Sequence, residues 1–224
     1  MTADTPFEAP AEPPRDCPLC PRLVAYREAN AAAHPDWFNG AVPSWGDAAG
    51  AVRLLIVGLA PGVRGANRTG RVFTGDWAGD LLYGTLIGQG LAVGPYEREP
   101  GDALALHGAM ITNAVRCVPP ENKPTGAEGN QCRPFLAARI AALPRLRALL
   151  CLGKIAHDST LRALGARVAA HPFGHERRYD LPGPNGSLAL VSSYHCSRYN
   201  TNTGLLTDQM FASAVASAKG AAGL

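Results

Sequence analysis

Four cysteines stand at spacings that could hold a metal centre. Cys17 and Cys20 are separated by two residues, and Cys117 and Cys132 by fourteen. A two-residue spacer lets both sulfurs face one metal, while the second pair needs only to lie nearby in the fold. Four thiolates suit either tetrahedral zinc or an iron–sulfur cluster, and the spacing does not choose between them. The alternative is two unrelated pairs of buried cysteines, since free cysteine is commonly a small core residue.

The segment from Gly58 to Gly79 is rich in glycine and carries an aromatic ring and an acid. Its first turn, Gly58-Leu-Ala-Pro-Gly62, can direct several backbone N–H groups toward an anion or a polarised carbonyl. Further on, Phe73 and Asp76 stand close together, and a stacking ring beside a carboxylate suits a planar heterocycle. Asp76 alone also fits a helix N-cap.

Between these features, residues 65–71 have the glycine spacing of a phosphate-binding loop. Arg71 stands where that loop requires lysine, and Val72 stands where it requires serine or threonine. The broken motif argues against a nucleotide hydrolase.

Two further polar features follow predicted strands. Asn113 ends a strand, where its amide can donate and accept hydrogen bonds at once, as discrimination between base oxygens and amines requires. A purely structural role for Asn113 is the alternative. The loop Ser193–Gly204 carries His195, Arg198 and several amides, which suit contacts with a phosphate backbone, although a solvated turn would have a similar composition.

Two cysteines lie outside the four-thiol set. Cys151 falls inside an apolar strand and is interpreted as a core residue. Cys196 follows His195 directly, but adjacent residues rarely face each other, and a nucleophilic role for Cys196 needs an activating neighbour.

The elements that must position these residues alternate between strand and helix. Apolar runs predict strands at residues 53–58, 109–115, 148–152 and 187–193, and helical patterns lie at 81–87, 132–143, 153–164 and 205–219. This alternation favours an α/β fold with functional loops beyond the carboxyl ends of the strands. Residues 1–16 contain four prolines and are predicted as a flexible N-terminal lead-in, and residues 17–224 as a single domain.

Composition excludes some classes of protein without naming a function. Of the 224 residues, 17% are charged and 46% are hydrophobic, which excludes a disordered chain, and no apolar run is long enough for a membrane span. The N-terminus lacks the order of a signal peptide, so an intracellular, cytoplasmic location is expected. In a reducing cytoplasm the six cysteines are ligands or core residues rather than disulfides. The net charge of +3 is uninformative by itself, but a basic face is predicted from Arg64, Arg68, Arg71, Arg116 and Arg198.

Taken together and in this order, these segments resemble the uracil-DNA glycosylase superfamily, and within it the type 5 (UDGb-like) iron–sulfur branch. The resemblance runs from Cys17 almost to the end of the chain. The segments that carry it are Cys17–Cys20, Gly58–Gly62, Asn67–Asp76, Thr112–Pro124, Ser193–His195 and Asn200–Gly204. It implies a three-layer α/β/α sandwich with a central four-stranded parallel sheet. It also implies a structural [4Fe-4S] cluster, with zinc as the alternative metal, held by Cys17, Cys20, Cys117 and Cys132.

For the reacting base, the resemblance implies a role for each residue of the site. Phe73 would stack on a base flipped out of the duplex, and Asn113 would bind its polar edge. Asp76 would stabilise the cationic sugar and orient or activate the attacking water, and His195 would support the departing uracil oxygen. The base would also meet backbone N–H groups of the turn formed by Gly58, Leu59, Ala60, Pro61 and Gly62.

For the DNA around that base, the resemblance implies contacts from Arg68, Arg198, Tyr199 and Asn200. The loop after His195 would enter the minor groove and fill the gap left by the flipped base. At two positions the chain departs from the wider superfamily. Leu59 stands where other branches carry an acid or amide, an absence that the type 5 branch shares, and this leaves Asp76 as the acid. Cys196 stands where proline is usual, so the loop loses some preset backbone shape.

The chain is therefore expected to be a monofunctional, monomeric DNA glycosylase of base excision repair, associated with the nucleoid and not with membranes. It would hydrolyse the N-glycosidic bond of uracil in double-stranded DNA and leave an abasic site, with hypoxanthine and other deaminated bases as further substrates. Strand cleavage is not expected, because no lysine in the motifs is placed for a Schiff base. The contrasting hypothesis is a non-enzymatic, metal-stabilised DNA-binding module.

Overall fold

Buried apolar runs form the centre of the sheet. The computed structural model describes residues 10–224. Its strands are β1 (Trp45–Gly46), β2 (Leu54–Gly58), β3 (Ala92–Val93), β4 (Ala105–Leu106), β5 (Ala109–Asn113), β6 (Ala148–Leu152), β7 (Arg178–Gly183) and β8 (Gly186–Ser193). Every residue of β2, β5 and β6 is buried, as expected for parallel strands that are covered on both faces.

Helices connect and cover these strands. In the described part of the chain they are α1 (Pro21–Ala33), α2 (Ala66–Thr69), α3 (Trp77–Gly88), α4 (Gly126–Ala141), α5 (Lys154–Ala163), α6 (Arg198–Asn202) and α7 (Asp208–Ala222). Helix α4 begins six residues before its predicted start at Cys132, because Thr125 and Glu128 form a capping box. The side chain of each of these two residues accepts a hydrogen bond from the backbone N–H of the other. None of the helices within residues 10–224 combines the length and apolar character that a membrane crossing requires.

The main sheet has six strands in the order β1-β5-β2-β6-β8-β7. Strands β5, β2, β6 and β8 are parallel to one another, whereas β1 and β7 pair antiparallel at the two edges. The predicted α/β fold with four parallel strands at its centre is confirmed, with one antiparallel strand added at each edge. Strand β7 was not predicted because it is mostly exposed and lacks the apolar run of a central strand.

Side chains alternate across the sheet and divide the core into two layers. Leu54 and Ile56 of β2 belong to the cluster that packs beneath α3 and α7, whereas Leu55 and Val57 belong to the cluster beneath α4 and α5. The predicted three-layer sandwich is therefore present. Its parallel strands all end at one edge, and this edge carries the candidate site.

The N-terminal segment contacts the domain earlier than Cys17. Residues 1–9 of the predicted lead-in lie outside the described residues. Glu12 accepts hydrogen bonds from Nη1 of Arg116 at 2.7 Å, from Nη2 of Arg139 at 2.6 Å and from the Ser44 N–H at 3.0 Å. Because Arg116 is only 1% exposed, Glu12 supplies the countercharge for a buried guanidinium. The domain boundary at residue 17 stays a prediction.

Candidate active site and cysteine cluster

The ends of two neighbouring strands bring the first site residues together. Gly58 of β2 is paired in register with Asn113 of β5. A Cβ atom on Gly58 would lie 2.4 Å from Asn113 Oδ1 and 2.6 Å from two carbons of the Phe73 ring. Only glycine leaves room for both neighbours. Asn113 Oδ1 is buried without a hydrogen-bond partner among residues 10–224, so it is an acceptor available to a ligand.

Phe73 lies beside the strand ends in a left-handed backbone conformation, with φ of 52°. Such a conformation is strained for a residue other than glycine. Two tyrosine hydroxyl groups hold it: Tyr96 donates to the Phe73 carbonyl at 3.1 Å, and Tyr83 donates to the preceding Val72 carbonyl at 2.6 Å. The ring orientation of Phe73 is thus set by contacts outside its own segment.

Asp76 caps helix α3, as the alternative interpretation of the sequence predicts, and it also faces the cleft. Its Oδ1 accepts a hydrogen bond from the Gly79 N–H at 3.2 Å. Its Oδ2 lies against the glycine-rich segment, where a Cβ atom on Gly65 would approach within 2.3 Å and one on Gly62, at the end of the first turn, within 3.1 Å. Burial raises the pKa of Asp76, and the N–H groups of α3 oppose that rise. One carboxylate oxygen is therefore structural, and the other faces the glycine turn.

His195 follows β8 and completes the group. Its ring lies near-parallel to the Phe73 ring, with centroids 6.0 Å apart. Burial lowers the pKa of His195 to about 4, so the imidazole is neutral at neutral pH and can donate a hydrogen bond without carrying charge. Asn200 holds this loop in place, since its Nδ2 donates to the His195 carbonyl at 2.8 Å.

A cleft of about 490 Å³ unites these side chains. Phe73, Asp76, Asn113, His195 and residues 59–62 all line it, and Gly58 lies directly behind Phe73 and Asn113. The roles predicted for them remain predictions, but the structure brings all of these residues to one place.

The predicted DNA-binding residues are more dispersed. Arg198 lines the cleft, and Tyr199 stands 74% exposed beside it. Arg68 lies outside the cleft lining, and its Nη1 pairs with Glu99 at 2.7 Å. Asn200 also lies outside the lining, where it holds the His195 loop.

The prediction of a basic face formed by five arginines is wrong for two of them, because these two are buried. Arg71 is 3% exposed and Arg116 is 1% exposed. Arg71 forms a bidentate pair with Asp102, with N–O distances of 2.6 and 2.7 Å, and it stacks near the Trp45 ring. Both guanidinium groups are structural, because a buried charge requires a partner inside the protein.

Sequence reasoning gave no role to three residues that contribute to the site. Asn122 lines the cleft and follows Glu121, and both have positive φ angles, 57° and 54°. The Pro-Pro-Glu-Asn run around Asn122 is a turn signal that pointed to this bend. Trp77 lines the cleft immediately after Asp76. Tyr96 supports Phe73 from a distant loop and had no local signal.

The four predicted metal ligands also lie together. Cys17, Cys20, Cys117 and Cys132 line one pocket beneath α1. Nη1 of Arg27 donates to the Cys117 sulfur at 3.4 Å, and the Arg116 N–H donates to the Cys132 sulfur at 3.3 Å. Among residues 10–224, no three His, Cys, Asp or Glu side chains are placed to hold a single metal ion.

The remaining two cysteines are buried. Cys151 is fully buried in β6, as predicted for a core residue. The thiol of Cys196 donates to the Ala78 carbonyl at 3.5 Å, and burial raises its pKa. Cys196 is thus a neutral packing residue rather than a reactive thiolate.

Comparison with known proteins agrees with the resemblance. The sequence model of the Uracil DNA glycosylase superfamily matches residues 43–219. The chain is 46% identical over 214 residues to a type-5 uracil-DNA glycosylase of Thermus thermophilus, covering 93% of this chain and 94% of that protein. It is 40% identical to a type-5 uracil-DNA glycosylase of Mycobacterium tuberculosis, over 93% and 79% of the two chains. A type-5 uracil-DNA glycosylase of Pyrobaculum aerophilum is 38% identical, over 93% and 90%. These comparisons confirm the family predicted from the sequence, and the chain belongs to the uracil DNA glycosylase superfamily.

Proposed function

We propose that the chain is a monofunctional DNA glycosylase that hydrolyses the N-glycosidic bond of uracil in DNA and leaves an abasic site for base excision repair. The observation that carries this proposal is the convergence of Phe73, Asn113, Asp76 and His195 on one cleft. A stacking ring, an amide, a carboxylate and a neutral imidazole are the groups that cleavage of a base from a sugar needs. The names of the relatives support uracil as the base.

Base recognition follows from the chemistry of Asn113. Its buried Oδ1 has no partner among the described residues and suits the N3–H donor of uracil. Its Nδ2 group then suits the exocyclic oxygen, whereas cytosine presents an amine and an unprotonated ring nitrogen at these positions. Stacking on Phe73 holds the ring in its plane, since every base has a π-face.

Bond cleavage moves an electron pair from the sugar to the base. As the C1′–N1 bond breaks, negative charge develops on the uracil oxygens and positive charge on the sugar. His195 and backbone N–H groups of the Gly58–Gly62 turn, in which Pro61 has none, stabilise the negative charge as hydrogen-bond donors. The Asp76 carboxylate stabilises the sugar cation and orients the water that adds to C1′. A pKa raised by burial makes Asp76 the stronger base for that water.

The surrounding surface suits duplex DNA. Arg198 and the exposed Tyr199 stand at the mouth of the cleft, where we place the contact with the minor groove. Flipping a base costs a few kcal/mol and costs least at a mispair, so a G·U pair is the expected substrate. We extend the proposal to hypoxanthine and other deaminated bases, to a monomer, and to association with the nucleoid.

At the four cysteines we propose a structural [4Fe-4S] cluster. Two N–H groups already donate to sulfurs of the set, as thiolates require. The four thiols line one pocket, and the resemblance to the type 5 branch supports an iron–sulfur cluster over zinc. The cluster would join α1 to the chain around β5 and α4. Four irons and no zinc per chain, with broad visible absorption, is the expected result. A colourless zinc protein would contradict the cluster without contradicting the glycosylase.

The decisive test is uracil release from a duplex, detected as alkali-induced strand scission. Asp76→Asn is expected to lower the rate of release by about 10²-fold or more while DNA binding persists. Asp80→Asn is the matched control, because Asp80 lies in the same turn but pairs with Arg98 and does not line the cleft. Full release by Asp76→Asn would contradict the assignment. DNA binding by the wild type without any release would favour the metal-stabilised binding module.

A further inference from the structure

Helix α6 has too few contacts of its own to hold its position. It contains five residues, Arg198–Asn202, and none of them is buried. Helices this short are not stable in isolation, since nucleation costs more than a single turn returns. Yet α6 carries Arg198 and Tyr199 at the mouth of the cleft. Its placement must therefore come from neighbouring elements.

One exposed aromatic side chain reaches α6 from the helix that Asp76 caps. Nε1 of Trp77 donates to Thr201 Oγ1 at 3.2 Å. The Arg198 guanidinium carbon lies 5.6 Å from the centroid of the Trp77 ring, within the range of a cation–π contact. Trp77 is the first residue of α3 and is 47% exposed. A large exposed aromatic that makes both a polar and a cation–π contact with one short helix is a docking contact rather than a core residue.

Other contacts to this region hold the backbone of α6 and the chain before it. The Cys196 thiol donates to the Ala78 carbonyl before α6 begins, and the Leu206 N–H donates to the carbonyl of Asn200 within α6. Trp77 differs because it contacts two side chains on α6 itself. Because Arg198 lies one helical turn from Thr201, these contacts set the direction of the Arg198 side chain.

We propose that Trp77 is a positioning residue that docks α6 and so sets how Arg198 and Tyr199 engage duplex DNA. This inference rests on the proposed function. It predicts a selective defect: without Trp77, capture of a flipped base from a duplex weakens, whereas cleavage of a bound base does not change. A single-stranded substrate leaves no gap for α6 to fill and needs little of this contact.

The test compares steady-state uracil release from a duplex and from a single strand of the same sequence. Trp77→Ala is expected to raise the KM for the duplex roughly tenfold, equivalent to about 1.4 kcal/mol, with kcat and the single-strand KM changed less than about twofold. Trp37→Ala is the matched control, because Trp37 stacks on His34 and does not line the cleft.

Two gentler variants keep the test valid if Trp77→Ala folds poorly. Trp77→Phe retains a ring beneath Arg198 but loses the N–H group, and Thr201→Val loses the acceptor. Each is expected to raise the duplex KM by a smaller factor, and the double variant no further than either alone, because both remove the same hydrogen bond.

The possible outcomes separate this inference from the proposed function. An unchanged duplex KM in the Trp77 variants, or an equal rise on both substrates, would overturn the docking role. Additive effects of Trp77→Phe and Thr201→Val would also overturn it. A wild-type protein that releases uracil from neither substrate would instead overturn the proposed function.

Discussion

A single methyl group at Gly58 tests whether the strand ends hold the site in its working geometry. In Gly58→Ala the new Cβ atom would lie 2.4 Å from Asn113 Oδ1 and 2.6 Å from two Phe73 ring carbons, whereas ordinary contacts are 3.4–4 Å. Both side chains must therefore retreat by about 1 Å. A displacement of that size costs about 10²-fold in rate, and overpacking of this kind costs about 1–3 kcal/mol of stability.

Single-turnover release of uracil from a G·U duplex measures the effect, and circular dichroism melting reports the fold. Gly84→Ala is the matched control, because it adds the same methyl group inside α3, where a Cβ atom meets nothing within 4 Å. The control is expected to keep full activity and to gain up to about 1 kcal/mol of stability. If Gly58→Ala released uracil within twofold of the wild-type rate, the contacts of Gly58 with Phe73 and Asn113 would not govern the reaction.

Three further predictions follow from buried groups. Glu12→Gln is expected to lower the free energy of unfolding by about 3 kcal/mol, since it weakens the countercharge of buried Arg116. The control Glu121→Gln, at an exposed ion pair, should leave the urea midpoint unchanged. Equal urea midpoints for the two variants would refute the role of Glu12 as the countercharge of Arg116. Burial lowers the pKa of His195 to about 4, against about 6.5 in the unfolded chain. Between pH 4 and pH 6.5, roughly, the unfolded state therefore binds more protons than the folded state, and the free energy of unfolding rises with pH across this range. Urea melts of His195→Gln should show a shallower rise, and an unchanged slope would contradict it. Asn113→Asp replaces the amide donor with an acceptor and should shift selectivity from uracil toward cytosine; an unchanged substrate profile would exclude a reading role.

Local patterns in the sequence were enough to predict the central sheet. The apolar runs at β2, β5, β6 and β8 lie within two residues of their predicted bounds, because strands buried on both faces must be almost continuously apolar. The start of α4 was missed, although Thr125 and Glu128 have the spacing of a capping box. Strand β7 and helix α6 were missed because exposed, short elements depend on their neighbours for stability.

The sequence by itself determined which reactive groups are present: four thiols, a glycine turn, a ring, an acid, an amide and an imidazole. It also determined that each of them lies beside a predicted strand or helix end. The tertiary structure decided which of them meet and what holds them there. Tyr96 supports the strained Phe73, Glu12 neutralises Arg116, and Trp77 reaches Thr201 across 124 positions of sequence. Such long-range pairs cannot be predicted from the sequence pattern, because hydrophobic periodicity indicates only which face of an element is buried. Which side chains then meet depends on how the elements pack.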